Sequence, residues 1–164
     1  MTWENPSAAR RAQILSETRT VAMVGASPNP SRASNFVATY LLGSTGFEVY
    51  FVNPMADEIL GRPVYPSLDA LPVVPDLVDV FRKPADLGGV LDEVLALRGT
   101  AEQPLPRTFW LQFGLFDEDL ARRAEEAGLE VVMDRCLKVE HARFAGGLHL
   151  AGFNTGVVTS RRRT

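Results

Sequence analysis

An apolar run, a loop of small residues and a helical pattern follow one another near the start of the chain, and this succession constrains the fold most. Residues 21–24 are continuously apolar, which is typical of a strand buried on both faces of a parallel sheet. Gly25 ends the run, turn-forming residues follow as far as Pro30, and a helical pattern begins near Ser34. This arrangement can offer backbone N–H groups and a helix N-terminus to an anion such as a phosphate. A tight turn without a ligand is the alternative.

Four further strand patterns alternate with amphipathic segments along the rest of the chain. The strands are expected at residues 47–52, 76–81, 108–113 and 129–133. The helices are expected at residues 8–18, from Ser34 onward, at 87–95, at 117–127 and in a terminal segment through Phe144. Alternation of this kind indicates a parallel sheet with right-handed crossovers. The predicted fold class is therefore α/β, with a doubly wound, mainly parallel five-stranded sheet.

Local patterns also predict where the first helix starts and what connects the second and third predicted strands. Asn5 followed by Pro6 predicts the start of the first helix, because Asn is a good cap and Pro suits the first helical position. The segment of residues 55–66 contains Gly61 and Pro63, and it is predicted to be a loop. A short helical turn is expected at residues 67–71.

The composition is that of an ordinary globular domain. The 164 residues suit one domain, expected at residues 1–144, followed by a Gly- and Arg-rich tail at 145–164 that ends in three arginines at 161–163. The net charge of −3 argues against binding to nucleic acid or to a membrane surface. The single cysteine, Cys136, and a polar N-terminus without an apolar core favour a cytoplasmic protein. A homo-oligomer is compatible with this composition.

Ligands of doubly wound sheets bind beyond the carboxyl ends of the strands, which selects four loops at residues 25–34, 53–55, 82–84 and 114–116. The first and third of these loops carry the basic residues Arg32, Arg82 and Lys83, whose side chains suit phosphate oxygens. Phe81 could face a base, and Asn53 could form a hydrogen bond with one. Each basic residue taken singly is better explained as a solvated loop charge, but three of them on one edge weaken that explanation.

A nicotinamide dinucleotide is the default ligand of such a fold, and two features argue against it. The glycine-rich loop of that ligand's binding sites needs three glycines, whereas Gly25 stands alone here. A carboxylate should end the second strand to bind the ribose hydroxyls, but Asn53 and Pro54 occupy that place.

Five motifs in fixed order carry a resemblance to a known family: VAMVGASPNPSRAS, VNPMADEILGRPVYPSL, DLVDVFRKP, WLQFG and VVMDRCLKVEHARF. Together they span residues 20–144, and they resemble the stand-alone CoA-binding proteins. These are Rossmann-type domains similar to the N-terminal domain of the succinyl-CoA synthetase α subunit. The resemblance implies coenzyme A (CoA) lying across the strand ends. It also implies the residues around the ligand: Gly25, Ala26, Ser27 and Pro28 at the pyrophosphate, Arg32 and Ser34 at further phosphate contacts, and Asn53, Pro54, Phe81, Arg82 and Lys83 around the adenosine and its 3′-phosphate.

The chain departs from the synthetase in two respects. Its first loop has fewer glycines, and the chain has no room for the second domain that carries the synthetase's phosphohistidine. Ligase chemistry is therefore not expected.

Catalytic candidates are few. Cys136 has Arg135, Lys138 and His141 nearby, which could lower the pKa of its thiol, but an inert packed cysteine is favoured. A mixed disulfide between Cys136 and the CoA thiol, acting as a redox sensor, lies between these two interpretations. Glu140 and His141 are adjacent on a helix and point in different directions, so a shared acid–base site is not expected. Two histidines and one cysteine, scattered along the chain, predict no metal site.

The sequence therefore predicts non-catalytic binding of CoA or an acyl-CoA in a crevice at the carboxyl ends of the strands. A regulatory protein, in which CoA controls the binding of a partner, is one alternative. A CoA- or NADP-dependent enzyme using Cys136 or His141 is another.

Overall fold

The computed structural model of the protein describes residues 2–145, which contain seven strands and five α-helices. The strands are β1 (Thr20–Val24), β2 (Glu48–Val52), β3 (Glu58–Ile59), β4 (Arg62–Tyr65), β5 (Leu77–Val80), β6 (Thr108–Leu111) and β7 (Glu130–Val132). The helices are α1 (Ala8–Glu17), α2 (Ala33–Ser44), α3 (Leu87–Leu95), α4 (Glu118–Glu126) and α5 (Leu137–Ala145). Short 3-10 turns lie at Leu68–Ala70 and Pro84–Asp86. The tail predicted at 145–164 lies outside the described residues from position 146 onward.

The strands form one sheet in the order β3-β4-β2-β1-β5-β6-β7, in which only the β3–β4 pair is antiparallel. Strand β1 is central, and its last residue Val24 is in register with Val52 of β2 and Val80 of β5. The chain order reverses beside β1, which is the switch point where doubly wound sheets bind their ligands. The predicted α/β, doubly wound, Rossmann-like class is confirmed.

The predicted number of strands is wrong, because residues 58–65 form a hairpin instead of a loop. Leu60 and Gly61 both have positive φ, as a two-residue hairpin turn that matches the twist of its strands requires. The hairpin strands are short, and every residue of theirs except Ile59 is exposed or only partly buried, so they leave no apolar run in the sequence. Pro63 is tolerated because only the two residues after it, Val64 and Tyr65, pair with β2.

Helices cover both faces of the sheet and produce two apolar layers. Helices α1, α2 and α5 pack together on one face, and α3 and α4 pack together on the other. Alternate residues of β1 serve the two layers: Val21 and Met23 face the first, and Ala22 and Val24 face the second. The strands are therefore buried on both faces, which is why they read as continuous apolar runs.

The chain before α1 lies across one end of the sheet. Ser7, rather than Asn5, caps the helix by accepting a hydrogen bond from the Arg10 N–H, so the predicted cap is wrong. The side chain of Asn5 instead accepts a bond from the N–H of Met133 at 2.8 Å and donates one to its carbonyl oxygen at 2.9 Å. Trp3 is buried, and its ring lies edge-on to Phe116 with centroids 6.0 Å apart. We call residues 3–6 the N-terminal strap.

One acidic side chain is enclosed within the sheet. Asp79 of β5 is completely buried between Met23 of β1 and Trp110 of β6, and neither carboxyl oxygen has a hydrogen-bond partner among the described residues. Burial raises the pKa of Asp79 well above its ordinary value.

Within residues 2–145, no helix is both long and apolar enough to cross a lipid bilayer.

Candidate functional site

A crevice of about 1380 Å³ opens at the carboxyl edge of the sheet. Its walls come from the loops that follow β1, β2, β5, β6 and β7, together with the first turns of α2 and α5. Eight of the eleven residues predicted for a ligand site line it: Gly25, Ser27, Arg32, Ser34, Asn53, Phe81, Arg82 and Lys83. Of the other three, Ala26 is buried in the core, Pro28 is exposed on the loop, and Pro54 lines a neighbouring hollow.

Gly25 lets two loops approach each other closely at the centre of this edge. Its φ of +88° lies in the left-handed region, and its N–H donates to the carbonyl oxygen of Val52 at 2.9 Å. A Cβ atom at this position would overlap the carbonyl oxygen of Phe81 and lie 2.8 Å from Cδ of Arg82. Only glycine therefore allows the β1–α2 loop to pass against the β5–α3 loop.

The β1–α2 loop is closed onto the start of its own helix. Ser34 Oγ accepts a hydrogen bond from the Ser27 N–H at 3.0 Å, and Asn35 Nδ2 donates to the Ser27 carbonyl oxygen at 3.2 Å. Helix α2 begins at Ala33 without a side-chain cap from Arg32 and without an acidic residue in its first turn. This helix end keeps its positive dipole, which favours an anion in the crevice.

Asn53 holds the β2 loop against the β1 loop. Its Nδ2 donates to the Ala26 carbonyl oxygen at 2.7 Å, and its Oδ1 accepts from the Met55 N–H at 2.8 Å. Both ends of the side-chain amide therefore form hydrogen bonds with backbone groups, so Asn53 holds the two loops together and also lines the crevice.

Three basic side chains gather on one side of the crevice. Arg32 and Lys83 are exposed, while Arg82 is partly buried and lies 3.4 Å from Asp86 through its Nη2. Together with Gly25 and the N-terminus of α2, these three side chains form what we call the cationic end. Guanidinium and ammonium groups beside a helix N-terminus match the charge of phosphates.

Another part of the crevice carries apolar side chains beside the polar Gln112, Asp134 and Arg135. Phe113, Leu115 and Phe116 lie in the loop after β6, and Val139 lies on α5. We call these four residues the apolar end. The sequence places residues 114–116 among the four candidate loops without a role for them, although Phe113 and Phe116, on either side of Gly114, are a visible signal.

A smaller hollow of about 350 Å³ adjoins the cationic end on the α3 side of the sheet. It shares Arg82 and Asp86 with the crevice, and Val52, Pro54 and Val90 supply apolar surface.

The residues weighed for catalysis do not come together. Cys136 is partly buried and lines the crevice. Glu140 also lines it, but its carboxylate forms a buried ion pair with Arg11 at 2.6 Å. His141 lies outside the crevice lining and packs against the Tyr40 and Phe47 rings, with Nδ1 2.8 Å from Tyr40 Oη. Burial lowers the pKa of His141, which favours the neutral imidazole.

Metal-binding side chains are dispersed in the described part of the chain. No three His, Cys, Asp or Glu residues within positions 2–145 are grouped so as to hold a metal ion.

Comparison with known proteins gives matches that cover most of the chain. The sequence model of the family described as "CoA binding domain" matches residues 19–142. The uncharacterized protein YneT of Bacillus subtilis is 38% identical over 139 residues, which cover 85% of this chain and 97% of that protein. The structure of a hypothetical protein from Pyrococcus horikoshii has 33% identity and a TM-score of 0.77, covering 89% of this chain and 100% of that one.

One curated relative is an enzyme of known name and much greater length. The ADP-forming acetate–CoA ligase I of Archaeoglobus fulgidus is 29% identical over 131 residues, which cover 77% of this chain. The matched part spans only 19% of that ligase. The activity of the whole ligase therefore does not follow from the match.

Proposed function

Since the chain belongs to the family of CoA-binding domains, as its sequence motifs predicted, we propose that it binds CoA in the crevice at the carboxyl edge of the sheet. The observation that carries this proposal is the cationic end, where three basic side chains and the uncapped N-terminus of α2 line one cavity. CoA carries a pyrophosphate and a 3′-phosphate, and few ligands concentrate as much negative charge beside a long neutral arm.

The pyrophosphate is assigned to the loop between β1 and α2. Gly25 keeps that loop close to the end of β5, and the first N–H groups of α2 provide hydrogen-bond donors. Ser34 Oγ already accepts a bond from Ser27, so it would contact phosphate by donating its own proton. Arg32, which is exposed beside this loop, supplies charge.

The adenosine and its 3′-phosphate are assigned to the loops after β2 and β5. The smaller hollow offers Val52, Pro54 and Val90 as apolar surface for a base. Arg82 lines both this hollow and the crevice, so its guanidinium would lie between a base in the hollow and the phosphates in the crevice. Lys83 follows it on the rim.

We propose binding without catalysis. Glu140 and His141 face different partners, and the site is built from loops that hold a ligand rather than from paired acids and bases. Binding of this kind suits a carrier, or a regulator that reports the CoA level to a partner.

Capture of CoA through Cys136 is the second candidate function, because this thiol lines the same crevice. The Cys136 thiolate would attack CoA disulfide, form a protein–CoA disulfide and release one CoA thiol. Intact mass spectrometry after incubation with CoA disulfide, with Cys136→Ser as control, would detect the adduct. Unmodified Cys136 after this incubation would exclude capture.

Calorimetry with CoA, dephospho-CoA and NADP tests the binding proposal. CoA should bind most tightly, and loss of the 3′-phosphate should cost about tenfold, the worth of one charged hydrogen bond. Arg82→Ala should weaken CoA binding and reduce the difference in affinity between CoA and dephospho-CoA. Arg98→Ala, an exposed arginine outside the crevice, is the matched control.

Three results would count against these assignments. Equal affinities for CoA and dephospho-CoA would remove the 3′-phosphate contact. Failure of CoA to bind at all would overturn the proposed function. Turnover of acyl-CoA thioesters by the purified protein would overturn the absence of catalysis.

A further inference from the structure

The apolar end is held rigidly although it faces solvent. Gly114, at φ +91°, donates its N–H to Asp134 Oδ1 at 2.7 Å, and the Asp134 N–H donates to the Leu115 carbonyl oxygen at 3.0 Å. Phe116 is further supported by the ring of Trp3 in the N-terminal strap. The backbone that carries the two phenylalanines is therefore held in place, which lowers the conformational cost of binding a ligand there.

Three apolar side chains of the apolar end are exposed to solvent, and contact of apolar surface with water is unfavourable. Phe113 is 76% exposed, Phe116 51% and Val139 57%, and all three line the crevice. Single exposed apolar residues are common on protein surfaces, but apolar residues grouped in a cavity mark a binding site. The cavity itself, at about 1380 Å³, exceeds the range of about 300–1,000 Å³ typical of small-molecule sites.

The position of the apolar end relative to the cationic end identifies its occupant. Strands β1 and β6 are separated only by β5, so the loop after β1 starts roughly 10 Å from the loop after β6, at about 4.8 Å per strand, and the loop after β5, with Arg82 and Lys83, lies between them. With the phosphates of CoA at the cationic end, its neutral arm would extend along the crevice toward the apolar end. We propose that the apolar end binds the acyl chain of an acyl-CoA, so that the ligand is an alkyl thioester rather than free CoA. This inference rests on the proposed function and specifies its ligand.

Calorimetry with free CoA and with acetyl-, butyryl-, hexanoyl- and octanoyl-CoA, below their micelle concentrations, tests the proposal. Affinity should rise with chain length, by up to about fourfold per methylene, since burial of one CH₂ is worth about 0.8 kcal/mol. Phe113→Ser should flatten this rise, so that it lowers the affinity for octanoyl-CoA by a larger factor than the affinity for free CoA. Phe36→Ser, an exposed phenylalanine on α2 outside the crevice, is the matched control and should preserve the rise.

The outcomes separate this inference from the proposed function. Binding of free CoA with no gain along the acyl series would overturn the inference alone, whereas absence of binding for every ligand would overturn both. A gain that survives in Phe113→Ser and in Val139→Ser would place the chain elsewhere and overturn the inference. Self-association that is lost in Phe113→Ser, without any gain along the series, would make the apolar end a contact between copies. Thermal unfolding of each variant verifies that the fold is retained.

Discussion

Gly25 shows how one residue determines the geometry of the site. The end of β1 lies beside the end of β5, and the chain turns away from the sheet at this point with a positive φ. A side chain there would have to displace the Phe81 backbone, and that backbone leads directly to Arg82 and Lys83. The spacing between the loop at the pyrophosphate position and two of the basic residues therefore depends on the missing Cβ atom.

Replacement of this glycine should damage both stability and binding. Gly25→Ala is expected to lower the free energy of unfolding by about 2–4 kcal/mol, from the left-handed conformation and the overlap with backbone together. Urea denaturation measures this loss, and calorimetry should show weaker CoA binding. Gly43→Ala is the control, because an added Cβ at position 43 of α2 meets no atom within 4 Å. The control should be neutral or slightly stabilising. Similar stability changes for the two variants would contradict this account.

At the scale of elements, helix α5 is joined to α1 by a buried charge pair close to the crevice. Arg11 Nε lies 2.6 Å from Glu140 Oε1, and both side chains are almost fully buried. Arg11 also donates to the carbonyl oxygen of Pro6 in the N-terminal strap. This pair therefore positions α5, whose residues Val139 and Glu140 line the crevice, relative to the strap.

Removal of one partner of this pair should lower the free energy of unfolding far more than removal of both. Among the described residues, Arg11→Met leaves the buried Glu140 carboxylate with Arg143, at 3.7 Å, as its ion-pair partner, and it should cost about 3–5 kcal/mol of unfolding free energy. The double variant Arg11→Met with Glu140→Leu should recover most of this loss, because the buried charge is gone. Urea denaturation of both proteins provides the comparison. Arg123→Met, which breaks an exposed pair with Asp92, should change stability by less than about 1 kcal/mol. A double variant no more stable than Arg11→Met would refute this explanation.

Strands buried on both faces were predictable, and the hairpin was not. Strands β1, β2, β5, β6 and β7 appear as apolar runs because helices cover them on both sides, whereas β3 and β4 are short, mostly not buried, and set by a turn at Leu60. Similarly, the rule that ligands of doubly wound sheets bind beyond the carboxyl ends of the strands selected the loops of the crevice from the sequence. It could not reveal that Asn5 bonds to Met133, because that contact joins residues 128 positions apart. Nor could it show which apolar residues, such as Phe113, remain exposed.

At the scale of the whole molecule, the two apolar layers lie on either side of a sheet that contains a buried aspartic acid without a hydrogen-bond partner among residues 2–145. Asp79 occupies a central strand between the two halves of the sheet, and no described residue forms a hydrogen bond with its carboxyl group. Because burial favours its neutral form, the folded protein retains a proton that the unfolded chain releases above a pH of about 4. Exposure of this central strand to solvent requires unfolding of the whole domain, so the proton is coupled to global stability.

The sign of that coupling predicts how stability depends on pH. Between the ordinary pKa of an aspartic acid, about 3.9, and the raised pKa of Asp79, the folded state binds more protons than the unfolded state. Stability contributed by Asp79 is therefore complete below about pH 4 and is lost as pH rises toward the raised pKa, by up to about 1.4 kcal/mol per unit. Asp79→Asn removes the carboxyl group that takes up this proton. The unfolding free energy of the variant should therefore rise relative to that of the wild type as pH increases. Urea denaturation between pH 4 and 8 measures the trend, with the exposed Asp57→Asn as a control for loss of one carboxylate. A difference that stays constant over this range would mean that Asp79 is charged in the folded protein and has found a partner.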